Sequence, residues 1–143
     1  MKRKLIIVSG YFNPLHRGHI EYFHSARQYA DKLIVIVNND NQRKKKGSKK
    51  FMSQEERLII ISKLRVVDYA ELSIDNDRTV IKTISKIYDN YHDKYQIFFG
   101  NGGDQNNRTI PEDKICKDLN IKLVDGLGEK IQSSSWLIDK NEN

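Results

Sequence analysis

Short apolar runs alternate along this chain with stretches of helical periodicity. Leu5-Ile6-Ile7-Val8 and Leu33-Ile34-Val35-Ile36-Val37 are uninterrupted and of strand length, which predicts strands covered on both faces, as in a parallel sheet. Val66 to Ile74, Ile97-Phe98-Phe99 and Ile121 to Val124 read as three further strands. Between them the spacing turns helical. Ile20, Phe23, Ala26 and Ala30 share one face, as do Val80, Ile84, Ile87 and Tyr91. Ser53 with Glu56 three residues later is a capping-box signature for a helix through Leu64. Thr109 and Glu112 predict a second box before a short helix, and Ser133 opens a last one. Asn38 to Lys50 and Asn101 to Asn107 lack apolar periodicity and read as polar loops.

Strands alternating with helices at this spacing predict an α/β fold: a Rossmann-like, doubly wound, five-stranded parallel sheet in one domain spanning residues 1–143. Such sheets take ligands at the carboxyl ends of their strands, where strand order reverses. Three polar segments follow predicted strands: a histidine cluster, a lysine-rich loop and the Gly102-Gly103-Asp104 turn. All three therefore belong to one edge.

Composition narrows the class. A chain of 143 residues can bury roughly 68–70% of its unfolded surface in one core. No apolar run approaches the roughly 18 residues a membrane span needs. Met1-Lys2-Arg3-Lys4 passes into a strand without a secretory pattern, and the lone Cys116 excludes an internal disulfide, so a cytoplasmic protein is expected. Net charge is +6, and six of the eight positions from Arg43 to Lys50 are basic. That bias suits a polyanion, either nucleotide or nucleic acid. Because like charges repel and no apolar residue anchors this segment, it is expected to be mobile and to close over phosphates. No aromatic residue is interleaved with it for base stacking, which argues against a nucleic-acid module.

The densest chemistry lies in the first two dozen residues. The first strand runs into Ser9-Gly10-Tyr11-Phe12-Asn13-Pro14-Leu15, and His16-Arg17-Gly18-His19 then opens a helix. Two imidazoles three residues apart at a helix start sit where free N–H groups and the helix dipole favour anions. Gly18 between them lets a ligand approach the backbone. Zinc is not expected, since no cysteine or carboxylate stands at ligand spacing with these histidines.

Gly10-x-Phe12-x-Pro14-x-His16-x-Gly18-His19 after a first strand resembles the signature of the HxGH nucleotidyltransferase superfamily, which includes cytidylyl- and adenylyltransferases. Val37-Asn38-Asn39-Asp40, the following lysines, Glu56-Arg57, Val67-Asp68, Gly102-Gly103-Asp104 and Ser133-Ser134-Ser135 extend the resemblance along nearly the whole chain. It implies transfer of a nucleoside monophosphate from CTP, or alternatively ATP, to a phosphorylated small acceptor such as glycerol 3-phosphate or a sugar phosphate, with pyrophosphate released. It implies that His16 and His19, with Lys44 or Lys46, serve catalysis. Gly10, Tyr11, Phe12, Asn13, Gly18, Gly103, Asp104, Ser133, Ser134 and Ser135 would bind nucleotide, and Arg57 and Lys130 would face the acceptor or a subunit interface. Mg2+ would arrive with the triphosphate, and the chain would form a homodimer, with neither membrane nor nucleic acid as partner. Two positions depart from the pattern. Asn13 stands where many relatives have Asp, and the stretch Gly128-Glu129-Lys130-Ile131-Gln132 lacks the arginine of the cytidylyl members, Lys130 being the residue that would replace its charge.

Overall fold

The computed structural model describes residues 2–102 and 110–127. Five strands, β1 (Arg3–Gly10), β2 (Lys32–Val37), β3 (Tyr69–Leu72), β4 (Tyr95–Gly102) and β5 (Lys122–Leu127), form one parallel sheet in the order β3-β2-β1-β4-β5. Among the described residues five helices connect them: α1 (Arg17–Tyr29), α2 (Asp40–Lys46), α3 (Gln54–Ser62), α4 (Ile81–Tyr91) and α5 (Asp113–Asp118). This is the expected Rossmann-like arrangement.

Alternation along the strands divides the core. Ile6, Val8, Leu33, Val35, Val37 and Phe98 pack on one face with Phe23 and Ala26 of α1 and Ile61 of α3. Leu5, Ile7, Ile34, Ile36, Ile97 and Phe99 pack on the other with Ile84 and Ile87 of α4 and Cys116 of α5. Burying a side chain such as Phe23 completely contributes about 1.5–3 kcal/mol. Connections from β1 and β2 therefore run over one face, and those from β3 and β4 over the other. The reversal falls between β1 and β4, which opens a crevice at their carboxyl ends.

Several expectations are corrected. The segment from Asn38 to Lys50 is not simply a loop, because Asp40–Lys46 is helical. Asn39 caps it by accepting from Gln42 N–H, and the Gln42 side chain accepts from Asn39 N–H in return. Gly47 ends the helix at φ 84°, a left-handed cap that glycine adopts without strain. Its anchors are polar rather than apolar: Gln42 is fully buried, donating to the carbonyls of Asp77 and Thr79. The third strand is only Tyr69–Leu72, because Val67 and Asp68 turn to bring Asp68 onto the Leu33 N–H. Asn101 and Gly102 extend β4. Glu112 forms no box with α5; its carboxylate accepts instead from Val80 N–H at 3.0 Å, at the start of α4. Thr109 and the helix expected from Ser133 lie outside the described residues.

Candidate active site

The turn after β1 is shaped by its own aromatic residue. Phe12 takes φ 53°, folding its ring back into the core against Phe23 and the edge of His19. A Cβ on Gly10 would lie 2.7 Å from the Phe12 ring, so only glycine admits this fold-back. The Asn13–Pro14 peptide is cis. Helix α1 then begins with a capping box made of two histidines. His16 Nδ1 accepts from Gly18 N–H at 3.1 Å, and His19 Nδ1 accepts from His16 N–H at 3.1 Å.

That geometry settles the tautomers. An Nδ1 that accepts a hydrogen bond leaves the proton of a neutral imidazole on Nε2. Each ring therefore offers an Nε2–H donor, and neither donor has a partner among the described residues. The rings stack with centroids 3.9 Å apart. Burial, helped by the neighbouring His16, lowers the His19 pKa to about 4, so His19 is neutral at pH 7. Two N–H donors stand at the amino end of a 13-residue helix, where the backbone also favours an anion.

Beside this turn a cleft of about 510 Å³ opens along the carboxyl ends of the strands. Gly10 and Tyr11 follow β1, Asn38 follows β2, Arg78 and Thr79 precede α4, and Glu112 precedes α5. Lys46 reaches in from α2, its Nζ 4.4 Å from the centroid of the Tyr11 ring. The Tyr11 hydroxyl is buried, and burial raises its pKa against the pull of the neighbouring Arg78 guanidinium and of Arg57. Burial likewise raises the pKa of Glu112, although the Val80 N–H favours its ionised form. The cleft thus joins two cations, a buried phenol and one buried carboxyl.

The structure brings Gly10, Tyr11 and Lys46 to this cleft, with His16, Gly18 and His19 on the adjoining turn. Lys44 is exposed on α2. Phe12 is core. Asn13 spends its side chain on backbone: Nδ2 donates to Lys49 O, while Oδ1 accepts from Phe51 and Met52 N–H. Arg57, expected at the substrate or an interface, is instead fully buried. Its guanidinium donates to the carbonyls of Tyr11, Asn38 and Met52 and, at 2.8 Å, to Asp40. Burial opposes ionisation of Asp40, but the Gln54 N–H and Arg57 outweigh it and hold the carboxyl below its usual range. Gly103, Asp104, Lys130, Ser133, Ser134 and Ser135 lie outside the described residues.

Arg78, Thr79 and Glu112 were missed by the sequence reading. The polar turn Asp77-Arg78-Thr79 just before an amphipathic helix, at the same sheet edge, was the available signal for the first two. Glu112 gave none, because its capping role is directed at another helix.

The described residues alone do not form a magnesium site. Asn13 offers no charge and its oxygen is taken, and among the described residues no group of three His, Cys, Asp or Glu side chains is placed to hold a metal ion.

A parallel sheet with hydrogen-bond donors and cations gathered at its switch point is an architecture found among nucleotide-handling α/β proteins. The chain belongs to the cytidylyltransferase-like family of the nucleotidyltransferase superfamily, whose family model matches residues 7–120. A crystal structure of the lipopolysaccharide core biosynthesis protein from Thermoplasma volcanium GSS1 is similar over 86% of this chain and 95% of that one, at 26% identity and a TM-score of 0.70. A Vibrio parahaemolyticus structure provisionally named nicotinate-nucleotide adenylyltransferase covers 96% of this chain with 85% of its own, at 16% identity and a TM-score of 0.60, a likeness of fold alone. No curated protein matches the chain. No described helix is long and apolar enough to cross a membrane.

Proposed function

We propose that this chain transfers a nucleoside monophosphate from CTP to a phosphorylated, small-molecule acceptor and releases pyrophosphate. The observation that carries the reading is the pair of Nε2–H donors fixed by the His16–His19 capping box beside a cationic cleft. An acceptor phosphate oxygen attacks the α-phosphorus, a new O–P bond forms, and the bond from the α-phosphorus to the bridging oxygen breaks in line. Negative charge grows on the bridging and leaving oxygens. His16 and His19 meet it with donors already oriented by the backbone, so little reorganisation is needed as the reaction proceeds. Lys46 and Arg78 draw the acceptor's phosphate into the cleft. Lys44, exposed on the same helix, remains a candidate for the triphosphate, as do the serines at 133–135, Gly103, Asp104 and Lys130. Mg2+ would arrive with the triphosphate and offset part of its negative charge. The working unit in this reading is a homodimer, which sedimentation would test.

ATP as donor with a sugar phosphate as acceptor is the second reading. The similarity to a protein named for lipopolysaccharide core biosynthesis favours it. A nucleic-acid module is disfavoured by the use of the basic segment. Arg43 is buried against Ser48 O, Lys45 bonds the Asn76 carbonyl, and Lys46 covers Tyr11.

A screen of CTP and ATP with magnesium, against glycerol 3-phosphate and a panel of sugar phosphates, tests both donor and acceptor. Acceptor-dependent pyrophosphate release is expected with one nucleotide. Release from neither, at any acceptor, would overturn the proposal.

A further inference from the structure

We propose that Asn13 is a positioning residue, latching the Lys49–Met52 connector to the histidine turn and thereby holding α2 against the cleft. The inference rests on the transferase reading above. Asn13 makes three bonds across more than thirty residues of sequence: Nδ2 to Lys49 O at 2.8 Å, and Oδ1 from Phe51 N–H at 3.0 Å and Met52 N–H at 2.8 Å. One donor and two acceptances are the inventory of an amide and of no carboxylate. Aspartate would keep both acceptances, lose the donor, and set a negative charge against the Lys49 carbonyl.

The latch closes a circuit through the site. Between Lys46 and Lys49 the backbone is itself bonded: Gly47 N–H to Lys44 O, Ser48 N–H to Arg43 O, and Arg43 Nη1 to Ser48 O. Lys46 lies over the ring of Tyr11, two residues before Asn13. From the other end, Arg57 grips Met52 O and passes the hold to Tyr11 O and Asn38 O. The turn that presents the histidines and the helix that presents Lys46 are therefore held in one frame. Asn13 fixes that frame while its own side chain stays on the backbone, away from nucleotide and metal.

Asn13→Ala and Asn13→Asp, each alone and with Lys46→Ala, test the role. Hydrogen exchange of the Phe51 and Met52 amides should quicken by about tenfold or more in Asn13→Ala and stay near wild type in Asn13→Asp. Turnover should fall in the order wild type, Asn13→Asp, Asn13→Ala. In the Lys46→Ala background the same substitutions should cost less than about twofold, because the placement of an absent amine cannot matter. Additive losses would overturn the role and assign Asn13 a direct or purely structural effect. So would unchanged exchange at both amides in Asn13→Ala, or an Asn13→Asp variant as active as wild type. Turnover absent with every donor and acceptor would overturn the transferase reading and this role together, whereas turnover with additive losses overturns this role alone.

Discussion

His19 Nδ1 accepts the backbone N–H of His16 at 3.1 Å, and the two imidazoles stack with centroids 3.9 Å apart. The same contacts that start a helix therefore choose a tautomer for each ring and leave both Nε2–H groups without a partner among the described residues. Structure and chemistry are joined in one motif, so its substitutions must be read on both scales.

His16→Ala and His19→Ala should each lower turnover by on the order of 10²–10³, the cost of losing a preorganised donor to developing charge. Each also removes half of a capping box, worth about 1 kcal/mol in urea unfolding. His16→Asn separates the two effects. It keeps a cap acceptor and loses the Nε2–H donor, so stability should return toward wild type while turnover stays low. Recovery of turnover in that variant would contradict the donor role.

The depressed pKa of His19 gives the pH dependence a sign. Its pKa in the folded chain is about 4, below the ordinary value of 6.5, so between these values the unfolded chain binds more protons. The neutral ring's contribution is fully present above the unfolded value and is lost as pH falls toward 4. The melting temperature should drop between pH 7 and pH 5, and the drop should be smaller in His19→Ala. Turnover should not decline as pH rises from 6 to 8 on account of this group. A decline that vanished in His19→Ala would show that an imidazolium is required.

Much of the fold was legible, because each central strand is an unbroken apolar run and each large helix has a clear face. The β2–β3 connection was not. Asp40–Lys46 contains no apolar residue, so a search for hydrophobic periodicity cannot see it, although Asn39-x-x-Gln42 and Gly47 carry its cap chemistry. The histidine turn was visible because glycine, proline and paired imidazoles stand together after a strand. Arg57 was misjudged for a physical reason: its charge argues for surface, and only the three-dimensional convergence of Tyr11 O, Asn38 O, Met52 O and Asp40 makes an interior site for it.

Arg57 is consequently a test of architecture. Removing a buried, fully bonded guanidinium takes the donor from three carbonyls and leaves Asp40 with the Gln54 N–H and the more distant Arg43 alone. Arg57→Ala should cost about 3–5 kcal/mol in urea unfolding. Arg57→Lys should recover only part of this, since an ammonium lacks the planar fork. A loss of activity with unchanged stability would instead return Arg57 to a direct substrate role.

Ligand linkage separates nucleotide from nucleic acid. The preferred nucleoside triphosphate, at a hundredfold excess over its dissociation constant, should stabilise the chain by about 2.7 kcal/mol. Oligonucleotides at physiological salt should do so weakly, because Arg43, Lys45 and Lys46 are engaged with the protein itself. Tight, steeply salt-dependent oligonucleotide binding with no response to free nucleotides would reverse that assignment.

The most direct measurement follows label from the donor. CTP or ATP carrying 32P at either the α- or the γ-position is incubated with magnesium and the acceptor that supports pyrophosphate release. The account predicts that α-label appears on the acceptor and γ-label in pyrophosphate, with both transfers strongly reduced in His16→Ala and His19→Ala. Transfer of γ-label to the acceptor, or α-label transfer undiminished in both histidine variants, would contradict it.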